Sequence, residues 1–167
     1  MNNTLLPLAL TYLNRGWSVI ICGQNKVPIL PWKEFTERKV TPEELVEWFE
    51  KYPDAQVGIV TGSISNLTVI DLEKDADFDL IQDETYRVRT GGGGIHVYCQ
   101  YEPEFKNAVK VLPNVDIRNN GGFVVAGGSK TIKGEYLPLN ATNTLEPSKM
   151  SSQTKTLLLG AARRQLP

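Results

Sequence analysis

An apolar run that ends in two carboxylates constrains this chain more than any other feature. Residues Val69 to Leu72 are apolar except for Asp71, and Glu73 follows directly. Because side chains alternate along a strand, Asp71 and Glu73 project from the same face. Two carboxylates this close repel each other unless a cation lies between them. Such a pair is typical either of a solvated strand end or of a site for a hard divalent cation, which shares its coordination with substrate phosphates.

Two further apolar runs also carry polar groups suited to chemistry. Gly91 to Gly94 lead into a strand that holds His96, the one histidine of the chain, and a later run contains Asp116 and Arg118. Glycines let backbone N–H groups approach phosphates, although they also form flexible turns. Taken alone, His96 fits a core position, and Arg118 fits either a structural ion pair or a phosphate or template contact. Together with Asp71 and Glu73, these pieces predict metal-dependent chemistry on a nucleoside triphosphate.

The composition is that of a globular domain. The chain has 167 residues, of which 41% are hydrophobic, and no apolar run approaches the length of a membrane span. The first residues lack the features of a signal peptide. Cys22 and Cys99 lie in apolar, strand-like runs and are expected to be buried free thiols, which favours a cytoplasmic location. Two cysteines and one histidine offer no structural zinc site.

The net charge of −1 conceals a gradient along the chain. Residues 1–86 carry 7 Lys/Arg against 14 Asp/Glu, whereas residues 87–133 carry 7 against 3. The basic part contains the glycine run, His96, Asp116 and Arg118. Positive charge beside a carboxylate cluster suits a polyanionic substrate, although charge counting alone fits a solvated surface equally well.

The order of predicted elements is mixed α/β. Thr41-Pro42-Glu43-Glu44 is a strong helix start, with Thr41 as N-cap and Glu44 closing a capping box. Gly16 is placed to end an earlier helix. The predicted helices cover residues 5–15, 41–52 and 148–164, and the predicted strands cover 17–22, 57–61, 67–72, 86–90, 95–100 and 123–126.

The ordered set of these motifs resembles the bifunctional primase–polymerase (Prim-Pol) domain of the archaeo-eukaryotic primase superfamily, found in plasmid and phage replication proteins. The resemblance covers about residues 5–140 and rests on order and spacing. Its motifs are Gly16 to Val19, Lys26-x-Pro28 followed by Trp32-Lys33, Val57 to Gly62, the Asp71-x-Glu73 strand, the glycine turn with His96, and Asp116 to Val125.

The resemblance implies a two-lobed α+β fold. It places a catalytic domain at residues 1–147, with a small N-terminal αβ module at about 1–65 and a palm sheet similar to an RNA-recognition fold at about 66–147. Residues 148–167 are then a helical linker or the start of a C-terminal helical domain, which in such replication proteins precedes a helicase. The active site is expected between the two lobes.

The resemblance also assigns roles to residues. Asp71, Glu73 and Asp116 correspond to the catalytic carboxylates that bind two Mg²⁺ or Mn²⁺ ions, and His96 to the histidine that contacts the triphosphate. Two departures are Gly94-Ile95-His96 in place of Ser-x-His, and Ala126 to Ser129 in place of a Pro-Pro-Ser-like end. Further expected nucleotide contacts are Gly92, Gly93, Gly94, Arg118, Ser129 and Lys130, and expected nucleic-acid contacts are Lys26, Arg89 and Lys133.

The expected activity is template-directed nucleotidyl transfer, that is, primase or polymerase action with dNTPs or NTPs on a single-stranded DNA template and a primer strand. The three acids alone fit a metal-dependent nuclease equally well. A non-catalytic nucleic-acid-binding module would be expected to lack an acid. A rolling-circle nicking protein would need a His-x-His pair, and this chain has one histidine.

Overall fold

A computed structural model of the protein describes residues 3–164. The fold is mixed α+β, as the sequence predicts. No helix in this range is both long and apolar enough to cross a bilayer. The helices are α1 (Leu6–Asn14), α2 (Pro42–Lys51) and α3 (Ser152–Arg164). The strands are β1 (Ser18–Cys22), β2 (Gln56–Val60), β3 (Leu67–Leu72), β4 (Arg87–Arg89), β5 (Ile95–Gln100), β6 (Ala108–Leu112), β7 (Val115–Arg118), β8 (Phe123–Val125), β9 (Lys130–Thr131), β10 (Gly134–Glu135) and β11 (Leu137–Pro138).

The two N-terminal helices begin and end where the sequence predicts. The Glu44 N–H donates to Thr41 Oγ1 at 3.1 Å, and the Thr41 N–H donates to Glu44 Oε1 at 2.9 Å, so the capping box is formed. Gly16 follows α1 with φ of +94°, a conformation that favours glycine. Helix α2 buries Leu45 and Phe49, but Trp48 stays partly exposed.

The smaller of the two main sheets has three antiparallel strands in the order β1-β2-β8, and β9 and β10 pair separately as a two-stranded sheet. All five residues of β1 and of β2 are buried. Strand β8 comes from the part of the chain that the sequence analysis assigned to the palm. The three-stranded sheet therefore combines strands from both sides of residue 65.

The larger sheet has six strands in the order β11-β4-β5-β3-β7-β6, with β3 in the interior. Its two faces belong to different cores. Val69 and Tyr98 pack in the core shared with β1, β2 and α1, whereas Ile70 and Leu72 pack in a second core with Leu158 of α3. Burial on both faces explains why the sequence around Asp71 is apolar at nearly every position.

Helix α3 belongs to the second core rather than lying apart as a linker. Leu158 is fully buried in that core, and Lys155 Nζ lies 3.0 Å from Glu102 Oε2. Asp83 accepts hydrogen bonds from the Ser151 N–H (2.7 Å) and from Thr154 Oγ1 (2.5 Å), which ties the start of the helix to the loop before β4. Residues 165–167 of the expected linker lie outside the described range.

Candidate active site

The larger sheet brings three of the predicted site residues into one row. Asp71 on β3 pairs directly with His96 on β5 and, on its other side, with Asp116 on β7. Directly paired residues of neighbouring strands point to the same face. The three side chains therefore meet on one face of the sheet, although Asp116 is 45 residues from Asp71 in the sequence.

Glu73 completes a carboxylate triad. It lies just beyond the end of β3, where its N–H donates to the carbonyl of Asn114 at 2.9 Å. One oxygen each of Asp71, Glu73 and Asp116 lies within 4.8 Å of the others. Glu73 is exposed, whereas the Asp71 and Asp116 side chains are 14% and 12% exposed. Three carboxylates at this separation fit a divalent cation with open coordination positions.

An arginine and a histidine flank the triad. Arg118 Nη2 lies 3.5 Å from Asp71 Oδ2 and 3.3 Å from Asp116 Oδ2, and His96 Nε2 lies 3.4 Å from Asp71 Oδ1. Burial raises the pKa of the Asp71 carboxyl, but His96 and Arg118 outweigh it, so the pKa lies below its usual value. His96 Nδ1 is buried, and nothing within residues 3–164 hydrogen-bonds to it. Asp71 is thus held ionised, as a metal ligand must be.

A bulge in β6 fixes Asp116. The pairing of β6 with β7 is irregular between Ala108 and Leu112, and Lys110 in this stretch has φ of +52°. As a result the Lys110 N–H donates to Asp116 Oδ1 at 2.8 Å. Nothing in the sequence indicates this contact, because a bulge has no side-chain pattern.

Hydrogen bonds within the glycine turn use the N–H groups of two of its glycines. The Gly93 N–H donates to the Thr90 carbonyl (3.0 Å), and the Gly94 N–H donates to Thr90 Oγ1 (2.9 Å). Gly93 has φ of +92°, and Gly94 lies so close to the Leu72 carbonyl that a Cβ would overlap it. The N–H groups of Gly93 and Gly94 therefore close the turn, and contact of these glycines with a nucleotide stays a prediction. A Cβ at Gly92 would meet only the Lys133 side chain, at 3.8 Å.

Two cavities meet at the triad. The first, of about 440 Å³, is lined by Asp71, Glu73, His96 and Arg118, and the second, of about 750 Å³, by Glu73, Asp116 and Lys110. Glu73, Gly92 and Lys133 line both, and Lys26 lines the first.

Three other predicted contacts lie apart from these cavities. Arg89, an exposed residue of β4, and Lys130, on the hairpin of β9 and β10, line neither cavity. Ser129 is 1% exposed, accepts from the Val57 N–H at 3.0 Å and donates to the Val57 carbonyl at 3.2 Å. This buried hydroxyl, with both partners in β2, is a link between two segments of the chain, and contact of Ser129 with a nucleotide stays a prediction.

Several residues of the first cavity are not among the expected site residues. Tyr136 is buried with its ring 6.1 Å from that of His96, and burial together with the negative charge of Asp71 raises the pKa of its hydroxyl. Asn107 Oδ1 accepts the Asn119 N–H at 2.6 Å. Trp32 and Phe123 form an aromatic pair in the wall. Of these residues, Trp32 and Phe123 lie in motifs of the resemblance, Trp32-Lys33 and Asp116 to Val125 respectively.

Comparisons with known proteins agree with this geometry. A search of curated proteins finds no match to the chain. The family model described as "Bifunctional DNA primase/polymerase, N-terminal" matches residues 9–152, which include β3, the glycine turn, His96 and Asp116. Because that match spans most of the 167 residues, the chain belongs to the Prim-Pol family of bifunctional DNA primase/polymerase N-terminal domains.

Proposed function

We propose that this domain is a template-directed nucleotidyl transferase that extends, and in its full context begins, nucleic-acid strands on single-stranded DNA. The observation that carries the proposal is the triad of Asp71, Glu73 and Asp116, whose oxygens lie within 4.8 Å of one another between two cavities. An in-line transfer needs room on both sides of the reacting phosphorus, for the attacking 3′ oxygen and for the leaving pyrophosphate. Family membership points to the same reaction class.

The donor set of the triad fits Mg²⁺ or Mn²⁺, since both prefer carboxylate oxygens and keep positions open for phosphates. Two such ions, when bound, supply activation of the attacking oxygen and neutralisation of the leaving group. Arg118 holds Asp71 and Asp116 together through the 3.5 and 3.3 Å contacts, which offsets the repulsion between the carboxylates.

The remaining charged groups of the cavities suit the triphosphate. Lys133 and Gly92 lie between the two cavities, and Lys26 lies in the wall of the first. His96 lines the first cavity beside Asp71, with its Nε2 3.4 Å from Asp71 Oδ1. We assign His96, Lys133 and Lys26 to the phosphates of an incoming dNTP or NTP, and Arg118 to the phosphates or to the template strand.

Primer extension with a labelled primer on a single-stranded template, in Mg²⁺ or Mn²⁺, tests the proposal. Asp71→Asn, Glu73→Gln and Asp116→Asn each keep the shape of the side chain, and in Asp116→Asn the new amide oxygen can still accept the Lys110 N–H. Each is expected to lower incorporation by at least about 100-fold, since oriented electrostatic groups of this kind contribute that much. Asp79→Asn, an exposed acid of the loop after β3, is the matched control and keeps full activity.

The same assay separates the alternatives. A metal-dependent nuclease would shorten the labelled primer or template without adding nucleotides, and a non-catalytic module would bind the template without changing either strand. Full activity in any of the three triad variants would refute the assignment of the site.

A further inference from the structure

An aromatic residue of the N-terminal part of the chain lies in the wall of the first cavity. Trp32 lines the same 440 Å³ cavity as Asp71, Glu73 and His96, although it belongs to the loop between β1 and α2. It also borders a separate hollow of about 460 Å³ that includes Lys33. Its side chain is partly exposed, so it does not serve the core alone.

The position of the indole is well defined. The Trp32 carbonyl accepts the Phe35 N–H at 2.9 Å at the start of a short 3₁₀ turn, Lys33–Thr36. Its ring meets that of Phe123 at 5.2 Å between centroids and 67° between planes, an edge-to-face contact. Phe123 is itself held in β8 opposite Val60. A ring that is already held by such a contact loses little conformational entropy when a ligand stacks on it.

We infer that Trp32 is the stacking platform for the base of the nucleotide whose triphosphate lies at the triad. The inference rests on the proposed function and names a positioning residue for it. The charged groups of the cavity account for phosphates, but none provides a flat apolar surface for a base. Trp32 and Phe123 do, and every nucleobase has a face that stacks on an aromatic ring. The platform therefore serves all four bases alike, and base choice comes from the template.

The test compares two ligands by calorimetry in Mg²⁺: a dNTP and inorganic tripolyphosphate, which lacks the base. Trp32→Leu, which keeps apolar bulk, is expected to weaken the binding of dATP and dTTP by about 5- to 150-fold, the range for losing one base–aromatic stack. The same variant leaves tripolyphosphate affinity within about 2-fold of wild type, because the phosphate contacts are intact. Trp32→Phe restores most of the dNTP affinity.

Trp48→Leu is the matched control. Trp48 is also a partly exposed tryptophan in an edge-to-face aromatic pair, with Phe35 at 5.3 Å, but it does not line the cavity. Its substitution leaves the affinities for both ligands unchanged. Equal dNTP affinity in wild type and Trp32→Leu overturns the inference while leaving the proposed function standing. A parallel loss for both ligands overturns it too, because Trp32 would then act through the fold. Failure of the wild type to bind any dNTP overturns both.

Discussion

The glycine turn beside the triad allows a sharp prediction, because a side chain added at Gly94 would be crowded whereas one added at Gly92 would not. A Cβ added at Gly94 would overlap the carbonyl oxygen of Leu72 and come within 3.2 Å of the Glu73 carbonyl carbon. These are backbone atoms at the end of β3, so neither can rotate away. A Cβ at Gly92 would meet only Lys133 Cδ, at 3.8 Å, which is ordinary contact with a flexible side chain.

The size of the effect follows from this difference. For Gly94→Ala, the backbone at Leu72 and Glu73 must shift or the turn must open, and overpacking of this kind costs about 1–3 kcal/mol. In a chain of this size, that corresponds to a fall in Tm of about 2–12 °C. Because the displaced backbone carries Glu73, the affinity of the triad for Mn²⁺ falls as well. Gly92→Ala changes the free energy of unfolding by less than about 0.5 kcal/mol and keeps the affinity for Mn²⁺.

Urea denaturation followed by circular dichroism measures the stability of both variants, and Mn²⁺ titration followed by electron paramagnetic resonance measures the metal affinity. The reasoning is refuted if Gly94→Ala unfolds at the urea concentration of the wild type with unchanged Mn²⁺ affinity. It is also refuted if Gly92→Ala loses as much stability as Gly94→Ala, since the effect would then reflect the loss of glycine from the turn in general.

Two further predictions concern contacts away from the triad. Burial raises the pKa of Asp83, but hydrogen bonds from Thr154 and Ser151 outweigh it and hold the pKa below its usual value. The stabilisation by Asp83 is therefore present above about pH 4 and is lost as the pH falls through the lowered pKa. Asp83→Ala is expected to lower the free energy of unfolding by about 1 kcal/mol at pH 7 and to speed hydrogen exchange in α3. The stability of this variant should change less with pH below 4 than that of the wild type. Equal exchange rates in α3 of both proteins would contradict the prediction. Ser129→Ala removes the hydroxyl that accepts the buried Val57 N–H, and is expected to lower the free energy of unfolding in urea by about 1–3 kcal/mol. The affinity for dNTP measured by calorimetry should stay unchanged. A selective loss of dNTP binding would instead support Ser129 as a nucleotide contact.

The parts of the site that sequence could predict are those carried by strand periodicity. Alternation put Asp71 and Glu73 on one face, and two further apolar runs pointed to His96 and Asp116, to which the resemblance then gave roles. The pairing of β3 with β5 and β7 then brings Asp71, His96 and Asp116 into one row. Helix α2 was equally predictable, because its capping box is a local contact between residues three apart.

The parts that sequence could not predict depend on contacts between distant segments. Ser129 carries the residue type of a phosphate contact, and only its pairing with Val57, 72 residues away, makes it structural. The Lys110 bulge and the short strands β9 to β11 have too few residues to show a period. Helix α3 begins with polar residues, as a linker would. The burial of Leu158 in this helix depends on strands that lie much earlier in the sequence.

The row of His96, Asp71 and Asp116 has a consequence for how the length of this protein can vary. Each residue depends on the register of its own strand, and a slip by one residue turns a side chain to the opposite face of the sheet. A single insertion or deletion within β3, β5 or β7 would thus dismantle the site even if it spared every side chain. Residues 143–146 are exposed and lie outside the sheets, so extra residues there leave each register intact. Natural variation in length, and sites chosen for inserted tags or fused domains, should fall in such segments and avoid the three strands.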